Sequence, residues 1–257
     1  MSTDDVLDFF TVATLRHNHS VGELDVRWVI TDFATLEFTV PFIQNNALKE
    51  TDLFFFETSS DALGDIAIRS LVDILEMDGN RVSVTLGVTI PTGKLGKKGP
   101  TALSTRDVLP FPMQTGSGTP DILIGGTYLV QNDVASVGAQ FNSTFRFLYN
   151  ARGYRLGNRH DFSIWGAYNF SDWASVSMRG LFERWGSIDG FDRRTDPLFD
   201  PLANPFAQGG ERVVVPFGLN LYLRSGSLAG HRFSIEYYYA VHEDLNGPQM
   251  SIDRTLV

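Results

Sequence analysis

The 257-residue chain (28.6 kDa) has no cysteine, carries 21 lysines and arginines against 30 carboxylates, and has a formal net charge of −9. Without thiols it has no disulfide framework and no thiolate ligand or nucleophile, and its acidic balance argues against a nucleic-acid surface. No stretch approaches the roughly 20 apolar residues of a membrane helix. A mean hydropathy of −0.06 leaves room for a β-barrel, which hides its apolar residues at every second position.

The opening residues Met1-Ser-Thr-Asp-Asp5 are polar and acidic, without the basic and apolar regions of a secretory signal. From there the periodicity is 2 almost throughout. It predicts strands at 19–30, 35–43, 64–75, 81–91, 121–130, 136–149, 159–170, 174–185, 212–224, 231–241 and 249–257, with no amphipathic helix longer than two turns. One face of these strands collects Leu24, Val26, Trp28 and Ile30, then Leu36, Phe38, Val40 and Phe42. It continues through Val82, Val84, Leu86 and Val88 to Phe233, Ile235, Tyr237 and Tyr239, and away from strand ends it carries no charge. The other face holds the charged and small polar residues. A soluble β-sandwich also alternates. Bulky aromatics near the strand ends (Trp28, Phe42, Tyr128, Phe170, Tyr239) and strands well beyond the usual five or six residues favour a transmembrane barrel instead.

The links alternate short and long: 31–34, 76–80, 131–135, 171–173 and 225–230 are short, and 44–63, 92–120, 150–158, 186–211 and 242–248 are longer. That is the pattern of periplasmic turns and extracellular loops. The reading is therefore an all-β, antiparallel, up-and-down transmembrane β-barrel forming a single domain over 1–257, with long loops outside the cell. Eleven strands are an odd number, and the last ends at Thr255-Leu-Val257 without a terminal aromatic. The expectation is a chain truncated at both ends, with its signal and first strand missing, from a parent of about 12 strands.

Several segments resemble the outer-membrane transporter family labelled MetA-pathway of phenol degradation. They are Ser2-Thr-Asp-Asp-Val-Leu7, Pro91-Thr-Gly93, Pro110-Phe-Pro-Met-Gln-Thr-Gly-Ser-Gly-Thr-Pro-Asp121, Tyr154-Arg-Leu-Gly157, Ser171-Asp-Trp173, Trp185-Gly-Ser-Ile-Asp-Gly190, Gly209-Gly-Glu-Arg212 and Asn246-Gly-Pro-Gln249. The resemblance implies a porin-like channel or transporter in the outer membrane of a Gram-negative bacterium, passing small aromatic or apolar compounds without chemistry on them. Two other readings stand beside it: a structural or adhesive barrel with a plugged lumen, and a soluble β-sandwich binding protein.

Candidate lumen-lining residues are Glu23, Asp25, Arg27, Asp65, Arg69, Asp73, Arg146, Arg179, Glu183, Arg232 and Glu236. They either line an aqueous path and set its selectivity or pair across strands as a polar filling. Pro110, Phe111, Pro112, Met113, Gln114, Gly116, Ser117 and Gly118 form a candidate constriction loop, the alternative being a solvated surface loop. In the same loop Lys94, Lys97, Lys98 and Arg106 could meet lipopolysaccharide phosphates. The expected partners are outer-membrane lipid, lipopolysaccharide and a small-molecule solute.

Asp189, Asp192, Asp196 and Asp200 lack the spacing of a calcium loop, and His17 with His19 lacks a third ligand. No metal or cofactor is expected. Ser143 lies on the greasy face with no in-register histidine recognised, and His160 and Ser163 fall on opposite faces, so no enzyme is expected.

Overall fold

The computed structural model describes residues 3–223, 227, 229–249 and 254–256. After a short helix, α1 (Thr3–Leu7), the chain runs through β1 (Ala13–Thr31), β2 (Ala34–Glu50), β3 (Phe55–Leu63), β4 (Ile66–Met77) and β5 (Asn80–Ile90). Two short strands, β6 (Lys98–Gly99) and β7 (Asp107–Val108), precede β8 (Ile122–Gln131), β9 (Ala135–Phe145), β10 (Tyr154–Arg155) and β11 (Arg159–Ser171). Then follow β12 (Ala174–Trp185), β13 (Asp189–Gly190), β14 (Gly210–Tyr222), β15 (Arg232–Leu245) and β16 (Arg254–Leu256).

The long strands form one antiparallel sheet in the order β1-β2-β4-β5-β8-β9-β11-β12-β14-β15-β16, with β3 added on β2. Each of the eleven predicted strands has a counterpart in this meander. Residue 224 of the predicted 212–224 strand, residues 225, 226 and 228 of the 225–230 link, and residues 250–253 and 257 of the last strand lie outside the described residues. A single meander ladder excludes the β-sandwich, which needs two packed sheets. Among the described residues no pairing joins β1 to β16.

The turns gather at one end and the loops at the other. At the turn end, Asp78 (φ 47°) and Gly79 (φ 77°) form a left-handed pair, the conformation a two-residue hairpin demands. On the outer face the apolar side chains stand free: Leu24 is 64% exposed, Trp28 66%, Val137 62% and Tyr239 57%. A surface this greasy on every strand requires an apolar solvent.

The structure corrects the 44–63 link. It is not a loop, because β2 continues to Glu50 and β3 pairs back on it from Phe42↔Leu63 to Glu50↔Phe55. β1 likewise begins at Ala13 rather than residue 19, giving a three-stranded extension above the greasy belt. Its outward residues include Arg16, Asn18, Ser20, Gln44, Asn46, Glu57, Ser59 and Asp61 beside Leu48, and its inward residues include Asn45, Lys49, Thr58 and Ser60 beside Ala47. With both faces largely polar the period-2 signal fades although the ladder continues. In the opposite direction, the predicted 136–149 strand stops at Phe145.

Candidate functional site

The inner face is a set of ion pairs. Near β1, Thr39 Oγ1 donates to Asp25 (2.6 Å), and Arg69 donates to Thr39 (2.9 Å) and Glu37 (3.3 Å). Arg27 closes the set on Glu37 at 2.7 Å. Near β12, Glu183 is buried and bridges Arg159 and Arg212, and Arg159 also holds Asp161 at 3.1 Å. Between them Arg146 meets Asp121 at 3.0 Å. Arg179 reaches Glu236 at 3.7 Å and lies over the Trp165 ring, while Arg232 donates to Asn220 at 2.6 Å. Asp73 accepts from Ser83 and faces Arg81 at 3.8 Å. Neighbouring opposite charges offset the cost of taking these groups out of bulk water.

Arg146 lies one residue beyond β9, yet its guanidinium still turns inward. Sequence reading misses Arg159, Arg212, Asp121 and Lys49, and places Glu37 and Asp161 on the polar face without singling them out as lumen-lining. Asp121 and Arg159 sit at strand ends, where alternation carries little information, and the other partners become visible only once the cross-strand register is known.

The candidate constriction segment folds inward. Met113 is fully buried, and Thr115, Ser117 and Thr119 are each at most 6% exposed. Its principal tether is Asp65 at the foot of β4, whose carboxylate accepts from Gly93 N (2.9 Å), Ser117 N (2.7 Å) and Ser117 Oγ (2.7 Å). Asn150 donates to Ser117 O at 3.0 Å from the next loop, and Ser60 of β3 donates to Met113 O at 2.6 Å. Phe111 meets the buried Tyr154 ring edge-on at 4.9 Å. The glycines are needed for space: a Cβ on Gly116 would sit 2.6 Å from Gly93 C, and Gly118 has φ +74°.

Beneath this roof lies a cavity of about 360 Å³ whose lining includes Glu23, Asp65, Arg69, Asp121 and Arg146, so five candidate or network charges from four strands and their ends converge on one space. Above it, the 100–110 and 194–203 segments enclose a smaller cavity of about 130 Å³, lined by Val12, Phe56, Leu103, Leu109 and Phe199, with Lys49 and Asp200 at its edge. Lys49 is 2% exposed and donates to Asp200 at 2.5 Å, which latches the extension to the 186–211 loop.

The loops are knitted in other ways too. Arg194 binds Asp192 and donates to Leu95 O at 3.0 Å, and Lys97 Nζ donates to Asp61 O at 2.5 Å. Burial alone would raise the Asp192 carboxyl, but the hydrogen bonds and charge of Arg194 outweigh it and hold the group below its ordinary range. Burial also pushes the Tyr154 hydroxyl up to about 12. Asp189, Asp192 and Asp200 are thus engaged by Arg155, Arg194 and Lys49.

His19 Nδ1 lies 2.6 Å from Asn45 Oδ1, and His17 is on the same face. No cluster of three or more metal-ligating side chains occurs among the described residues.

One expectation about chemistry is overturned. Ser143 does have an in-register histidine: it pairs with His160 across β9 and β11, and Ser143 Oγ lies 2.7 Å from His160 Nδ1. The miss was one of register, which alternation within each strand does not supply. Ser143 is only 3% exposed and the ring packs against Phe141 and Phe145, so the hydroxyl is shielded from an approaching carbonyl.

No family model matches the chain, and no curated protein matches it either. Among solved structures it is similar to a crystal structure of the COG4313 outer membrane channel from Pseudomonas putida F1, with a TM-score of 0.59 and 12% identity. The match covers 95% of this chain and 80% of that one. At this identity the likeness is one of architecture, and it agrees with the ladder, the greasy exterior and the charged interior: the chain has the antiparallel β fold of an outer-membrane barrel.

Proposed function

We propose that the chain forms the wall of an outer-membrane channel for small molecules, with its turns in the periplasm and its loops outside the cell. The observation that carries this is the pairing of a greasy exterior with a charged cavity roofed by an Asp65-tethered segment. β1 and β16 both run from the loop end to the turn end, so antiparallel closure takes one strand of opposite direction between them, making twelve. The charges select within the lumen and the chain performs no catalysis.

Small aromatic or apolar solutes are the class we assign. This follows the phenol-family resemblance, and the apolar walls of the smaller cavity at the mouth support it. Planar-bilayer conductance and phenol flux into vesicles test the reading. Removing the tether with Asp65→Ala is expected to raise conductance several-fold, because two backbone amides and a hydroxyl lose their common acceptor. The second reading, a plugged structural barrel, is favoured by the density of inner ion pairs; it wins if neither wild type nor the variant conducts.

A further inference from the structure

The outer face holds a feature that passage through the lumen does not use. Phe141, Phe162 and Phe182 stand side by side across β9, β11 and β12, each between 37% and 47% exposed. The next row toward the loop end is Ser143, His160, Arg184 and Glu211, so the outer surface changes from aromatic to polar within one step of the ladder. Directly above opens a cavity of about 570 Å³, to which Arg155, Arg184, His160, Asn158 and Asp189 contribute.

Its electrostatics run against those of the chain. Arg155 and Arg184 line it against Asp189, in a protein of net charge −9, and Arg146 also borders it although its guanidinium is committed to Asp121 on the inner face. Arg184 is 68% exposed and its nearest carboxylate, Glu211, is 3.9 Å away. Arg155 holds Asp189 at 3.0 Å and lies over the Tyr149 ring, which fixes its direction.

We propose that this cavity seats the phosphate of an anionic glycolipid of the outer leaflet, with its acyl chains lying along Phe141, Phe162 and Phe182. A guanidinium is the side chain suited to a phosphate at a membrane interface, since its planar fork donates two hydrogen bonds and it is weakly hydrated. Phosphate binding here displaces the long Glu211 contact of Arg184 and shares Arg155 with Asp189, and the aromatic row supplies the apolar floor that a free anion does not need. The inference rests on the barrel lying in an outer membrane with its loops outside, and on no property of the lumen.

Native mass spectrometry of the folded full chain in detergent tests it, using bisphosphorylated lipid A, its dephosphorylated form and inorganic phosphate as separate probes. The expected result is retained lipid A, at least tenfold weaker binding of the dephosphorylated lipid, and at least tenfold weaker lipid A binding by Arg155→Gln/Arg184→Gln. An Arg16→Gln control, on the outer face of the three-stranded extension, should bind as wild type. Equal retention of the dephosphorylated lipid overturns the proposal, as does equal binding by a double variant whose heat-modifiable gel mobility shows it folded. Inorganic phosphate binding as tightly as lipid A would mark a free-anion site instead. If the double variant does not fold, the three probes on wild type decide. Lipid A binding by a protein that conducts nothing keeps this site and sinks the channel, so the two failures are distinguishable.

Discussion

The belt and the three-stranded extension above it belong to one sheet, share strands β1 and β2, and keep one register, yet they solve opposite solvent problems. In the belt the outward row is Leu24, Val26, Trp28 and Ile30 and the inward row is charged. In the extension the outward row is Arg16, Asn18 and Ser20, and the inward row is buried beneath the loops, with Lys49 closed onto Asp200. The backbone ladder is indifferent to its surroundings; the side chains record which solvent each stretch meets. The change falls between Phe42 and Gln44 on β2, and between Leu63 and Asp61 on β3.

Substitutions can break that contrast. The largest effect is expected inside the belt: Glu183→Gln leaves Arg159 and Arg212 facing a neutral amide, at a cost of about 3–5 kcal/mol. Urea unfolding in lipid vesicles reads it. On the outside of the belt, Ile164→Arg places a charge in lipid and should cost about 2–4 kcal/mol in the same assay.

Alkaline titration sharpens the contrast from the loop side. Tyr154 is held neutral up to about 12, against an ordinary 10.0 in the unfolded chain, so stability is flat below pH 10 and falls as pH rises from there to about 12. The loss should reach about 2 kcal/mol, with Tyr154→Phe removing both that slope and a late-titrating tyrosinate absorbance. The smallest effect is on the outer face of the extension: Asn46→Arg should shift stability by less than about 0.5 kcal/mol. A cost there like that of Ile164→Arg would mean that lipid covers the extension too.

The same contrast explains what was legible beforehand. Strand positions and faces in the belt could be read because lipid on one side and water on the other write an alternating pattern into the chain. The extension carried no such pattern, so Asn45, Lys49, Thr58 and Ser60 looked like loop. The candidate lumen charges were readable as inward-facing, but their partners were not. Glu183 to Arg212 spans 29 residues and Lys49 to Asp200 spans 151, and neither link has a local signature. The Pro110–Gly118 segment was suggestive through its glycines, while its tether, Asp65, lay 52 residues away from Ser117.

The shared direction of the two free edges also governs how copies meet. Neighbours inserted the same way up can bring β1 only to β16, and the two strands would then run parallel, an arrangement with a different hydrogen-bond spacing from the rest of the wall. An exposed strand edge is ordinarily a template for uncontrolled polymerisation. Here the polarity of the edges acts as a keyed joint: another copy would meet β1 in the less stable parallel pairing, whereas a strand that climbs the other way would continue the antiparallel ladder.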